Sequence, residues 1–495
     1  MTTRRAVVIG GGLAGIAAAI ELRDAGIAVT LLESRPRLGG AATSYARAGM
    51  MIDNGQHVFL RCCDSYQGLL ARLGVTGSVT IQDRFDVTVL SPTGRARLRR
   101  DSLPSPLHLA RALARYPLLS LAERAKVGRA ALAFRFADPA SPALDGQRLG
   151  SWLAERGQDE RSRRRLWDLF IVSALNIHGD EASVGLAATV IKTALLGARD
   201  AADIGMAKVP LGSLHADATA GLLGRLGAQV RLGARAARIE RLANGGFRVA
   251  LSRGELAAGE GPGVDAGSGA GEVPGPGQVP EPGEPDSAGQ SITADAVVLA
   301  VPADQAARLA ASAGVVQAAD WSGLGYSPIL NVHVIYDRRV TDLPFAAAVD
   351  SPVQWVFDKT SQAGVTSGQY LAVSISAADD LIDVPTAELR QQFVPALEEL
   401  FPAAADAGIS DFFVTRERRA TFRQGPGSGA LRPGAATSVP GLALAGAWTS
   451  TGWPDTMEGA VRSGHEAAQE LVRELAALPT VSRAAELDNA WSGAS

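Results

Sequence analysis

Cysteine is nearly missing: the 495 residues contain two, Cys62 and Cys63, side by side. Neighbours cannot build a disulfide framework and rarely close an unstrained bond, so the pair reads as packing in a protein of the reducing cytoplasm. No metal site is expected. No apolar run approaches the length of a transmembrane helix. The opening, two arginines and then VVIG running into glycines, lacks the long apolar stretch and cleavage site of a secretory signal, so any membrane contact is expected to be peripheral. A surplus of one charge is also missing, and a formal net charge of -3 argues against a general affinity for nucleic acid. What remains is a globular composition, 46% hydrophobic and 20% charged, in a chain too long for one simple core, so two interleaved domains are expected.

Ala6 to Ile9 reads as a buried parallel strand, followed by a glycine turn, an alanine-rich helix from about Ala14 to Ala25, and a strand from Ile27 to Glu33. This is a βαβ unit. From about Ser102 to Leu196 the pattern is helical, with arginines among leucine and alanine, as in LHLARALARY and LAERAKVGRAALAFRF. A helix is expected near Leu211 to Leu226, then strands at Gln229 to Leu232, Arg235 to Arg241 and Phe247 to Leu251, where the first sheet is expected to resume. Residues 253–291, rich in glycine, proline, alanine and glutamate, have too little apolar surface to offset the entropy of ordering and are expected to be a disordered loop. Ala294 to Pro302 is a further buried strand, and ILNVHVIY, VQWVFD and YLAVSIS belong to a second sheet.

Gly10, Gly12 and Gly15 lie between the first strand and the helix. In such a turn the first glycine permits the bend, the second lets backbone approach a pyrophosphate, and the third allows close helix–strand packing. The helix start offers N–H groups and a positive dipole end to phosphates. Glu33 ends the second strand where an acid accepts hydrogen bonds from ribose hydroxyls. The turn alone leaves a flavin and a nicotinamide dinucleotide both open.

Further along come RPRLGGAATSY and MIDNGQHVF, and near the C-terminus LALAGAWTSTGWPDTMEGAVRSGHEAA. Glutamate, a short spacer, Gly39-Gly40, then Asp53-x-Gly55-x-His57 resembles the amine oxidase and phytoene desaturase superfamily of FAD enzymes. The resemblance implies an α/β fold: a Rossmann-like, glutathione-reductase-like FAD-binding domain interleaved with an α+β substrate domain. It places the first in 1–75, 205–252, 292–310 and 425–478, the second in 76–204 and 311–424, and leaves 479–495 as a flexible tail. It further implies FAD contacts from Gly10, Gly11, Gly12, Leu13, Ala14, Gly15, Glu33, Ser34, Arg35, Gly39, Gly40, Ala41, Gly55, Gln56, His57, Ala236, Gly446, Ala447, Thr456, Met457 and Glu458. Two positions depart from the family: Ala41 stands where an arginine is usual, and Ala447 where an acid is common. Asp455 with Glu458 has the spacing of a capping box, so a helix is expected from Thr456 with ordered N–H donors at its start.

The strings IDNGQH, SALN followed by EAS, SPILNVHVIY, VQWVFD, RRATF and WPDTMEGAVRSG resemble the bacterial hydroxysqualene dehydroxylase group over nearly the whole chain. That resemblance implies reductive removal of the hydroxyl of hydroxysqualene to give squalene for hopanoid synthesis, with an external electron donor. A polyprenyl desaturase and a non-catalytic prenyl-lipid carrier are the competing readings. Asp53 and His57 are the candidate proton-handling residues, with structural roles for both as the alternative. Trp167, Leu175, Asn176, Tyr326, Trp355 and Phe357 are candidates for an apolar tunnel or plain core. The basic stretch Leu107 to Phe136, with Arg111, Arg115, Arg124, Lys126 and Arg129, is either a bilayer contact or a solvated face.

Overall fold

The computed structural model describes residues 3–252, 263–266 and 290–477. β1 (Arg5–Ile9) is apolar on both faces and runs into α1 (Leu13–Asp24), nine of whose twelve residues are buried. A helix so enclosed needs small side chains, which the alanine run supplies. β2 (Ala28–Leu32) then pairs parallel to β1. On the other side of β1 lies Ala296–Leu299, and beyond it Leu442–Leu444. Gln229–Arg231 closes the outer edge beside β2, so all five strands are parallel and β1 is central. The first strand of the chain thus shares a sheet with strands formed hundreds of residues later.

The sheet does not resume as expected through the next two strands. Arg235–Arg241 and Phe247–Ser252 are joined by a short turn that allows only antiparallel pairing, and with Ser291–Ala294 they make a separate three-stranded sheet. The single strand expected over Ala294 to Pro302 is likewise divided between the two sheets at Asp295.

A second, eight-stranded sheet runs in the order 263–266, Ile409–Thr421, Ser327–Tyr336, Gln369–Ser376, Trp355–Asp358, Phe345–Ala348, Asp86–Ser91 and Gly94–Arg99. Of the low-complexity stretch 253–291, residues 263–266 pair with the 409–421 strand and Ser291 opens the small sheet. Apart from Gln290, whose carbonyl accepts from the Leu251 amide at 2.9 Å, the remainder lies outside the described residues, as does 479–495. The expected helical segment forms a set of short helices between Leu107 and Leu195. They bury Phe134, Trp152, Trp167, Leu175 and Leu186 in one cluster with the hairpin at 86–99 and with Phe345 and Phe357 of the second sheet. Asn176 ends one of these helices in the left-handed conformation at φ 48°, a position tolerated by its short amide side chain.

The C-terminal helix Met457–Ala477 lies on α1. Gly464 is the contact: a Cβ there would stand 2.3 Å from the Ala14 carbonyl oxygen. His465 Nδ1 and Glu21 Oε2 meet at 2.9 Å across the same interface.

Candidate functional site

The glycine turn is built as close packing demands. A Cβ on Gly15 would fall 1.9 Å from the Gly10 carbonyl oxygen, so only glycine lets α1 approach its own strand. Gly12 bridges to Gly39, and a Cβ on Gly40 would stand 2.8 Å from the Gly12 Cα. Two turns distant in sequence therefore meet, leaving a cradle of bare backbone. No side chain caps α1, so its N-terminal amides and positive dipole end are left to a ligand.

Glu33 is buried at the end of β2, where its carboxylate accepts from the Gly11 amide at 2.7 Å and the Arg35 amide at 2.8 Å. This fixes the acid beside the turn while leaving lone pairs for further donors. Ser34 and Arg35 are exposed at the rim. Ala236 is buried on the neighbouring strand, at a register shift. Arg37 Nε and Gln56 Nε2 are buried donors with no protein partner among the described residues. Bare glycine backbone, an uncapped helix, a fixed carboxylate and two orphan donors fit a dinucleotide pyrophosphate and ribose. Arg37 was not singled out from sequence.

Asn54, also missed, joins the second and third glycine-bearing segments. Its Oδ1 accepts from the Thr43 amide at 3.0 Å and its Nδ2 donates to the Ala41 carbonyl at 2.8 Å. The sequence signal was present as the residue between Asp53 and Gly55. Asp53 itself is buried and fully engaged: it accepts from Ser44 Oγ at 2.6 Å, the Leu211 amide at 3.0 Å, Lys359 Nζ at 3.0 Å and Gln362 Nε2 at 2.8 Å. Four donors occupy this side chain and make it a structural hub, against its candidacy as a proton donor. His57 keeps part of its surface open, yet burial lowers its pKa to about 4. It is a neutral imidazole at pH 7, which removes it as a cationic acid. Burial likewise lowers His333 to about 3 and lowers His215.

At the C-terminal end the capping expectation is corrected. The cap is Thr456, whose Oγ1 accepts from the Gly459 amide at 3.1 Å. Glu458 is turned away into the protein, accepting from the Ser65 and Tyr66 amides at 3.1 and 2.7 Å, so its carboxylate caps the neighbouring helix Asp64–Leu73. Asp455 accepts from the Phe422 amide at 2.9 Å, and burial pushes its pKa up to about 6 despite the nearby Arg432. It keeps part of its surface exposed. Arg432, buried, donates to the carbonyls of Ala447 and Trp453 at 3.0 and 2.7 Å and to that of Thr449, fixing the loop between the last strand and the last helix. Gly446, at φ 147°, lies so near Trp448 that a Cβ would meet the indole at 2.3 Å. Met457 is half-buried at the helix start.

The tunnel candidates divide. Phe345, Trp355 and Phe357 form an aromatic row on the second sheet, and Trp355 donates to Ser173 Oγ of the helical segment at 2.8 Å. Leu60, Phe170, Leu195 and Met206 pack on the same cluster while keeping part of their surface open, the character of an apolar cavity wall. Trp167 and Leu175 are core. Asn176 is a tie, donating to the Ser327 carbonyl and Thr421 Oγ1, both at 3.0 Å, and accepting from the Ala377 amide at 2.7 Å. Tyr326 belongs to a surface network, with its hydroxyl on Asp304 at 2.6 Å and Arg419 over its ring. Cys62 and Cys63 are free thiols. Among the described residues no cluster of His, Cys, Asp or Glu could hold a metal, and no helix is long and apolar enough to cross a membrane.

A profile described as flavin containing amine oxidoreductase matches residues 13–266 and 279–472. Hydroxysqualene dehydroxylase of Rhodopseudomonas palustris is 30% identical over 467 residues, covering 93% of this chain and 96% of the relative. That of Sinorhizobium fredii is 27% identical, covering 94% and 98%. Among solved structures, cyclohexylamine oxidase from Brevibacterium oxydans superposes with a TM-score of 0.67 at 20% identity, covering 96% of this chain and 100% of the other, a likeness of fold.

Proposed function

Because the chain belongs to the flavin-containing amine oxidoreductase family, we propose that it is an FAD-dependent hydroxysqualene dehydroxylase, replacing the hydroxyl of a thirty-carbon polyene alcohol with hydrogen. FAD is the cofactor. The observation that carries the reading is the likeness to hydroxysqualene dehydroxylase along 93% of the chain, since it spans the substrate half as well as the dinucleotide cradle.

In balance, the alcohol takes up a proton and a hydride and leaves as hydrocarbon and water. When bound and reduced by an external donor, the flavin supplies the hydride. The protein's own part is to bind the polyene, give the proton and keep water from the allylic cation left when the oxygen departs. Apolar walls of the kind formed by Leu60, Phe170, Leu195, Met206 and Trp355 suit the first and last tasks, at about 0.8 kcal/mol per buried methylene. For the proton we propose Asp455 in place of Asp53 and His57. Its pKa of about 6 lets it carry a proton near neutrality, and it stands beside the helix start that the resemblance sets against the flavin. The remaining FAD contacts in the cradle are proposed as assigned from sequence, with Glu458 serving through its place in the helix start, its carboxylate being engaged elsewhere, and with Arg37 added.

Anaerobic incubation of the purified protein with hydroxysqualene and chemically reduced flavin tests the assignment. Squalene is the expected product. New double bonds in a polyprenyl substrate would identify a desaturase, and a yellow protein inert toward both would remove the reading.

A further inference from the structure

Among the described residues, nine large apolar side chains are exposed, and five of them, Leu103, Leu107, Leu121, Leu132 and Phe136, fall between residues 103 and 136. On the helix Leu121–Phe136 the inner face is Glu123, Val127, Ala130 and Phe134, packed into the core. The opposite face is apolar as well. Leu121, Ala125, Gly128, Leu132 and Phe136 follow one another at intervals of three and four and so form a stripe. Leu121 is 78% and Phe136 79% exposed, which water alone does not reward. Exposed Lys126, Arg129 and Arg135 flank the stripe.

The neighbouring segment adds a second, separate feature. Arg124 Nη1 ties the helix to the Ala114 carbonyl at 2.6 Å, joining it to the stretch that carries Leu103, Leu107 and Arg111. There a hollow of about 420 Å³ is lined by Arg84, Arg100, Asp101, Ser102, Arg111 and Arg199. Arg100 is anchored by buried Asp203 at 2.6 Å, and Arg111 meets Asp101 at 3.6 Å. Arg84 has no acidic partner among the described residues, and Arg199 reaches only the Ser102 carbonyl, at 3.5 Å. The four guanidiniums thus exceed the carboxylates near them. Next to Asp101, whose amide donates to the His108 carbonyl, the His108 ring is buried with both nitrogens unpartnered.

We propose that residues 102–136 dock on an anionic phospholipid bilayer, the leucine and phenylalanine stripe entering the acyl boundary and the arginine-lined hollow holding a lipid phosphate. Apolar insertion combined with flanking cations is the chemistry of an interfacial helix, and planar guanidiniums suit phosphate oxygens. A protein partner would be asked to cover an apolar stripe ringed by cations next to a hollow with surplus positive charge, whereas an anionic headgroup layer matches both features.

The test is flotation of the flavin-loaded protein with vesicles of phosphatidylcholine alone or mixed equally with phosphatidylglycerol, read by flavin colour. The protein is expected to float with the mixed vesicles and to stay down with the neutral ones. The combined variant L121D, L132D and F136D is expected to lose flotation while keeping its flavin. The variant R84E, R111E and R199E is expected to bind the mixed vesicles roughly a hundredfold more weakly, from about 1 kcal/mol per cation near the surface. Wild-type protein that ignores the mixed vesicles overturns the proposal. So does flotation of either variant at the wild-type level, including the case in which calorimetry finds inorganic phosphate in the hollow of a wild type that floats no better than R84E, R111E and R199E. Turnover in detergent is scored separately, so the assay stands apart from the identity of the substrate.

Discussion

Gly464 of the last helix rests against Ala14 of the first, with room for no more than a hydrogen: an added Cβ would also meet the Ala17 Cβ at 2.8 Å. The cradle for the dinucleotide is formed at the start of α1, so the seating of one helix on the other governs it. Gly464→Ala is expected to destabilise the protein by about 1–3 kcal/mol, as overpacking does, and Gly464→Val by more. Urea unfolding of the flavin-loaded protein measures this, and an unchanged midpoint would show that the helices can part at no cost.

Glu33, which we propose receives the ribose hydroxyls, is held by the Gly11 and Arg35 amides at 2.7 and 2.8 Å. Glu33→Gln keeps the shape and removes the charge. Hydrogen bonds to charged groups contribute about 1.5–3 kcal/mol, so FAD affinity is expected to fall by roughly tenfold to a hundredfold, read by titrating the deflavinated protein. Retention of wild-type affinity would place the ribose elsewhere.

Asp455 carries its proton below about pH 6 and loses it as the pH rises. A donor of this kind gives a kcat/KM for dehydroxylation that declines above about pH 6. Asp455→Asn is expected to lower kcat by roughly 100- to 10,000-fold and to abolish that limb, while the flavin still binds and bleaches with dithionite. A variant with normal turnover and the same pH profile would mean that another acid gives the proton, Glu417 being a candidate, since burial also raises its pKa.

Lys359 and Asp53 form a buried pair at 3.0 Å. Lys359→Met leaves a carboxylate inside the protein with only neutral donors, and a loss of about 3–5 kcal/mol is expected. Asp53→Asn combined with Lys359→Met should cost clearly less than the two single changes added together, by urea unfolding. Additive losses would mean that the ion pair is incidental to the hub.

The first βαβ unit and the last strand and helix were legible because close packing there leaves glycine no substitute, as at Gly15 and Gly40, and leaves a periodic trace. The second sheet was legible from apolar runs such as Ser327–Tyr336. The small antiparallel sheet was not: Arg235–Arg241 has the same composition in either partnership, and only the short turn after it decides. Asp455 was misread because Asp and Glu three apart imitate a capping box, while the adjacent Thr456 is better placed to cap. Arg432 left no trace at all, since its partners are carbonyls, which every residue possesses. The apolar outer face of Leu121–Phe136 was hidden for a related reason: the helix is apolar on two opposite faces, so no single-sided periodicity marks which one meets the core.

The central position of β1 sets a schedule for synthesis. The opening strand waits, one edge uncovered, until Ala296–Leu299 is made, and that strand in turn keeps an open edge until Leu442–Leu444 arrives near the end. Capture of the coloured cofactor is therefore a late event in the life of the nascent chain. Until then the Val-rich edge is a surface for chaperones, or for other unfinished copies, to grasp.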